Sequence, residues 1–133
     1  MARTGNPSLV HLDTHAVCWL YNGEPKQLSR AALAAIEAAS IIAISPLVEL
    51  ELHFLVEIGR FRDPPAQVLQ ALFEKLGMTI SHTALRDVTT AAHGLNWTRD
   101  PFDRLIAAQA ICDNAVLVTK DRTIRQHCPN ALW

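Results

Sequence analysis

A three-layer α/β/α sandwich around a parallel sheet of four to five strands is the fold this sequence predicts, and three observations point to it. Short unbroken apolar runs, Ile41-Ile42-Ala43-Ile44 and Ala115-Val116-Leu117-Val118-Thr119, have the length and continuity of strands covered on both faces. Segments of helical length alternate with such runs, most of them bounded by capping residues, prolines or glycines. Half of the residues are hydrophobic and only 6% are aromatic, with alanine and leucine dominant. That composition suits packed helices and argues against disorder or an all-β sandwich.

The elements follow in order. Ser8 to Leu12 reads as the first buried strand, with Asp13-Thr14 directly after it, and His15 to Leu20 as a helix stopped by Asn22-Gly23. Ser29 caps a second helix, Arg30 to Ala39, which leads into the strand Ile41–Ile44. Ser45-Pro46 opens a third helix, since a serine cap followed by proline at the first helical position satisfies both residues. Along it Leu47, Leu50, Phe54, Leu55 and Ile58 recur at helical spacing, which predicts that this stripe is the buried face. Glu51 falls within the stripe and Glu49 on the far side. Gly59 ends that helix. Pro64-Pro65 opens the next, which runs to Leu76 before Gly77, and Met78 to Ser81 reads as a short third strand. A helix from His82 or Thr83 to His93 is stopped by Gly94, and Asp100-Pro101 opens one more, ending near Cys112. Ala115–Thr119 is the fourth strand, Asp121 to His127 a last short helix, and Ala131–Trp133 a marginal edge strand.

At 133 residues the chain predicts a single domain, 1–133, large enough to bury a real core. A formal net charge of −1 excludes a protein that attracts polyanions by bulk charge, so nucleic acid would need a local basic patch or a metal ion. Cys18, Cys112 and Cys128 are odd in number and contain no CxxC, which argues against a disulfide framework or a zinc cage and suits the reduced thiols of a cytoplasmic protein. No apolar run approaches the roughly 20 residues a membrane span needs, and Met1–Pro7 has no apolar leader core.

Ligands of open parallel sheets bind beyond the carboxyl ends of the strands. Asp13 and Asp121 follow the first and fourth strands, Glu51 lies on the helix after the second, and Asp103 opens the helix that leads into the fourth. Each alone is explained as a cap or a solvated turn; Asp100 caps its helix and Asp103 complements the dipole. Gathered together, four carboxylates repel unless a cation sits among them. All-oxygen donors select a hard ion, Mg²⁺ or Mn²⁺, and such a site suits phosphodiester hydrolysis.

Leu12-Asp13-Thr14-His15, Ser45 with Glu51 six residues on, Arg99-Asp100-Pro101-Phe102-Asp103-Arg104-Leu105-Ile106-Ala107-Ala108-Gln109-Ala110 and Val118-Thr119-Lys120-Asp121 occur in order across nearly the whole chain. Together they resemble the PIN domain, specifically the VapC-type toxins of bacterial toxin–antitoxin pairs. The segment from Arg99 to Ala110 is the most specific of these matches. The resemblance implies a metal-dependent endoribonuclease, usually a homodimer, held inactive by a cognate antitoxin whose tail occupies the active-site groove. By position it assigns Asp13, Glu51, Asp103 and Asp121 as catalytic acids and metal ligands. Asp100 either substitutes for Asp121 as the fourth acid or assists through water, and Thr14 and Thr119 orient the acids or a water. Relatives often carry Trp where Leu50 stands, a change that bears on packing rather than chemistry.

His15, Arg99 and Arg104 are candidates for contact with RNA, with an ion pair to the neighbouring acids as the alternative for the arginines. His11 is assigned to packing, and Trp97 to a structural role ahead of base stacking. Phe54, Leu55, Phe61, Leu69, Leu72 and Phe73 supply two apolar helices that in the resembling family grip the antitoxin and shape the groove, with simple core packing as the alternative. The alternative function is a non-catalytic PIN-like module that binds RNA or protein.

Overall fold

The computed structural model describes residues 5–133. Residues 1–4, part of the stretch read above as lacking an apolar leader and the start of the 1–133 span, lie outside the described residues. Five strands form one sheet in the order β3-β2-β1-β4-β5, from β1 (Asn6–Leu12), β2 (Ile41–Ile44), β3 (Thr79–Ile80), β4 (Ala115–Val118) and β5 (Ala131–Leu132). Every pairing is parallel. The helices are α1 (Thr14–Tyr21), α2 (Arg30–Ala38), α3 (Pro46–Glu57), α4 (Pro65–Leu76), α5 (Leu85–Ala92), α6 (Pro101–Cys112) and α7 (Arg122–His127), and they cover both sides of the sheet.

Strand alternation sorts these layers. On β1, Val10 faces α2 across a pocket that Ala31 and Ala35 also line, while His11 points the other way, its Nε2 2.9 Å from Oδ2 of Asp113 at the end of α6. The wholly apolar β4 is buried along its length, as a central parallel strand must be. Ala107, Ala108 and Ala110 are fully buried on α6 and let it sit close against the sheet on one flank and Val88 and Ala92 of α5 on the other. Gly5 enters β1 at φ +92°, where a Cβ would lie 2.8 Å from the Ala115 carbonyl oxygen, so only glycine passes here.

The strand order reverses between β1 and β4, and the carboxyl ends of these two neighbours define the crevice. The Asp13 amide donates to the Val118 carbonyl at 3.0 Å, which ties the two strand ends together at that point.

Three local expectations need correcting. The α3 stripe is only part of the buried face: Leu47 and Leu55 pack against the core, but Leu50, Phe54 and Ile58 are 43, 42 and 64% exposed, and Val48 and Leu52 are fully buried instead. The helix is rotated because its Ser45 cap is anchored from the α6 side, as described below. Helix α5 starts at Leu85 rather than near His82, because the hydroxyls of Ser81 and Thr83 turn to the Asp113 carboxylate instead of capping a helix. A single 3₁₀ turn, Pro25–Gln27, was not foreseen.

Candidate active site

Asp13 is the residue at which β1 becomes α1. As the N-cap of α1 it turns its carboxylate back onto the chain, where Oδ1 accepts from the Thr14 amide at 2.7 Å. Its other oxygen accepts from the buried Thr119 hydroxyl at 2.6 Å, across the β1–β4 switch. The same Thr119 oxygen accepts from the Asp121 amide at 3.1 Å, and Asp121 caps α7 through the Ile124 amide at 2.8 Å. Thr14 in turn donates its hydroxyl to Glu51. Two threonines thus join three acids from three different elements.

The α6 terminus supplies the remaining carboxylates. Asp100 caps it, Oδ1 accepting from the Phe102 amide at 2.8 Å and the Asp103 amide at 3.1 Å. With that cap filled, Asp103 is left to project from the first turn. Its position relative to Glu51 is set by a buried clamp, in which the Ser45 hydroxyl donates to Gln109 Oε1 at 2.6 Å and accepts from the Leu47 amide at 3.1 Å. The clamp joins the start of α3 to the body of α6.

Asp13, Glu51, Asp100, Asp103 and Asp121 line one cleft of about 520 Å³ at the carboxyl edge of the sheet, together with His15, Trp19 and Lys120. Arg99 and Arg104 do not line it. The Arg104 guanidinium instead donates to the carbonyls of Ala92 (2.8 Å), His93 (3.2 Å) and Thr98 (3.3 Å), which fastens the α5–α6 connection.

The electrostatics follow from this crowding. Asp103 is pushed up to about 7, first by burial and then by Asp100, Asp121, Asp13 and Glu51. Burial also raises Asp13, against the opposing hydrogen bonds from Thr119 and Thr14, and raises Glu51 against that from Thr14. Cys18 nearby is pushed up to about 11 by burial, Glu51 and Asp13, so it is a thiol and not a nucleophile at neutral pH. Among the described residues the acids line the cleft without closing into a group of three or more at metal-holding spacing. Their chemistry nonetheless fits a hard divalent ion: every donor is an oxygen, and the accumulated negative charge has one facing ammonium, Lys120, among the cleft-lining side chains.

The PIN-domain family model matches residues 10–128, a span that contains all of these acids. The chain belongs to the PIN-domain family. A PIN-domain relative, Ribonuclease VapC22 of Mycobacterium tuberculosis (strain ATCC 25618 / H37Rv), is 39% identical over 120 residues, covering 89% of this chain and 91% of that one. The crystal structure of VapBC2 from Rickettsia felis bound to a DNA fragment from their promoter aligns with a TM-score of 0.63 at 22% identity. It covers 93% of this chain and 96% of that one, and so supports the PIN fold.

Several residues of this PIN domain escaped the sequence reading. Ser45 was seen as a cap but not as half of a clamp, and Gln109 was quoted in its motif without a role. A lone amide on the alanine-rich face of α6 was the available signal, since a buried amide must find a partner. Trp19 carries no sequence signal of its place at the cleft, and Lys120 is legible only as the residue before Asp121. Trp97 stacks on His127 with ring centroids 5.0 Å apart and planes 2° apart, in keeping with a structural role. His11 is buried as expected, but as part of a polar pair.

Proposed function

We propose that this protein is a metal-dependent endoribonuclease acting as the toxin of a toxin–antitoxin pair. The single observation that carries the reading is the convergence of five carboxylates from four elements of a PIN fold on one cleft. The kinship to a chain named as a ribonuclease supports it. Asp13, Glu51, Asp103 and Asp121 would hold Mg²⁺ or Mn²⁺. When bound, the ion supplies a nucleophilic water at neutral pH and charge stabilisation at phosphorus.

The protein's own contribution is placement. Thr119 fixes Asp13, Thr14 fixes Glu51, and the Asp100 cap leaves Asp103 facing the cleft with its proton affinity raised. Asp103 stands in the same cleft as Asp13, Glu51 and Asp121, so it would complete the oxygen set that holds the ion. His15 and Lys120 line the approach and are placed to meet RNA phosphate. Arg104 is committed to backbone carbonyls, and its part in this reading is to hold the start of α6 in place.

By the same reading the protein pairs with a cognate antitoxin, which the neighbour's origin in a VapBC assembly favours, and with a second copy of itself. It acts in the cytoplasm, and no described helix is long and apolar enough to cross a membrane.

Incubating the purified protein with mixed single-stranded RNA tests the enzymatic claim. Cleavage is expected with Mg²⁺ or Mn²⁺ and none with EDTA, whereas equal cleavage in EDTA would refute metal dependence. RNA binding without turnover under every condition would establish the non-catalytic module instead. Co-expression with the adjacent small reading frame is expected to yield a stable complex.

A further inference from the structure

We propose that Trp19 and Lys120 form a nucleotide subsite beside the acid cleft, in which an RNA base stacks on the indole and a neighbouring phosphate meets the ammonium. This deepens the nuclease reading and rests on it for the identity of the ligand.

Both side chains line the cleft that holds the acids. Trp19 lies six residues along α1 from Asp13, which at helical rise is about 9 Å. That places the indole within reach of a nucleotide close to the bond being cut. Lys120 directly precedes Asp121, and its Nζ lies over the Trp19 ring, 5.6 Å from the centroid, a position that an entering base takes as the ammonium turns to the phosphate.

The ring arrangement separates Trp19 from the protein's other tryptophan stack. Trp97 is already stacked face to face on His127. The rings beside Trp19 are tilted instead: His15, one turn earlier on α1, at 36° and 5.7 Å, and Trp133 at 57° and 5.6 Å. Neither neighbour lies parallel to the indole in a stacking position. Trp19 remains partly exposed at the cleft.

Charge adds a second reason. Every other ionised side chain lining the cleft is a carboxylate, apart from His15 when protonated. A polyanion entering it is repelled except where a cation sits, so the strand's phosphates are drawn to the Lys120 side. An aromatic platform next to a cation is the pattern that binds single-stranded nucleic acid with little sequence preference. A double helix, its bases already stacked on each other, could not use the platform.

The test measures binding in the Asp103→Asn protein with Mg²⁺ present, so that cleavage does not intrude. The probes are a short single-stranded RNA of mixed sequence and an abasic ribose–phosphate oligomer of equal length. Trp19→Leu is expected to weaken RNA binding by about 5- to 100-fold and to leave abasic binding within twofold, and Trp19→Phe to recover part of the loss. Lys120→Gln, an exposed change that spares the fold, is expected to weaken both probes and to lower the slope of log affinity against log salt by about 0.7.

Unchanged RNA affinity in Trp19→Leu would overturn the subsite. So would equal losses on both probes, or a loss confined to binding of the antitoxin. An unaltered salt slope in Lys120→Gln would remove the phosphate contact. Cleavage by the unmodified protein is scored separately: Trp19-dependent binding without cleavage would sink the nuclease reading and leave the subsite standing.

Discussion

At Asp103, burial and four neighbouring carboxylates all work against ionisation, and no backbone amide rewards it. The folded pKa, about 7, lies above the ordinary 3.8, so the folded state holds this proton more tightly than the unfolded chain. Stability from that proton is complete below the unfolded value and is lost as pH rises through the folded one. Metal-free protein should therefore be more stable near pH 5.5 than near pH 8, by about 1–2 kcal/mol once solvent screening of this half-buried group is allowed for. Asp13 and Glu51 push in the same direction. Buried His11, its pKa lowered, pushes the other way by resisting protonation on acidification. Comparing the thermal unfolding of wild type and Asp103→Asn across pH isolates Asp103, and the variant is expected to show the flatter profile. Identical profiles would mean that the carboxylate is freely solvated. Asp13 offers a second prediction. Thr119→Val deletes the 2.6 Å hydrogen bond to its Oδ2 and should lower the cleavage rate about 10- to 100-fold, with a well-folded protein by circular dichroism. The acids themselves were legible in the sequence because carboxylates after apolar strands are conspicuous. Thr119 and Thr14 were placed only through the family resemblance, since hydroxyl partners 106 and 37 positions away leave no local mark.

Helix α6 carries two of the acids and sets their angle to a third on α3. Its start was plain from Asp100-Pro101, a cap and a proline that admit one reading, and the structure begins the helix at Pro101. Helix α3 was harder. Leu47, Leu50, Phe54, Leu55 and Ile58 form a regular stripe, yet Leu50, Phe54 and Ile58 face outward. Periodicity reports that a helix has an apolar side and is silent on whether another part of the same chain covers it. The rotation is fixed by the Ser45–Gln109 bond and by Val48 and Leu52 against the core. Gln109→Ala should leave the buried Ser45 hydroxyl short of a partner, at about 1–3 kcal/mol of stability. It should also reduce cleavage by loosening Glu51 relative to Asp103, measured by thermal unfolding beside single-turnover rates. A stability loss with undiminished turnover would show that the clamp supports the fold but not the site.

For the whole molecule, the alternation of apolar strands and capped helices was enough to predict a parallel sheet, because such strands have no other way to bury both faces. The strand order was not legible, and it is the order that brings Asp13 and Thr119 together at the switch between β1 and β4. The exposed apolar surface belongs to this scale as well. Leu50, Phe54 and Ile58 on α3 and Phe73 on α4 are open to solvent, and Phe54 touches only the edge of the Phe102 ring among its aromatic neighbours. We propose that an antitoxin packs on this surface. Phe54→Asp and Phe73→Asp are expected to weaken the complex by tenfold or more in a pull-down titration while leaving the free protein's nuclease activity in place. Full antitoxin affinity in both variants would move the partner elsewhere.

That the acid cleft cuts RNA with a metal ion is a proposal. Its most direct test is the single-turnover cleavage rate of single-stranded RNA in Mn²⁺ for the wild type and for Asp103→Asn, both shown to be folded and free of antitoxin. A fall of about 10²-fold or more in the variant is predicted. Cleavage by folded Asp103→Asn at the wild-type rate would contradict it.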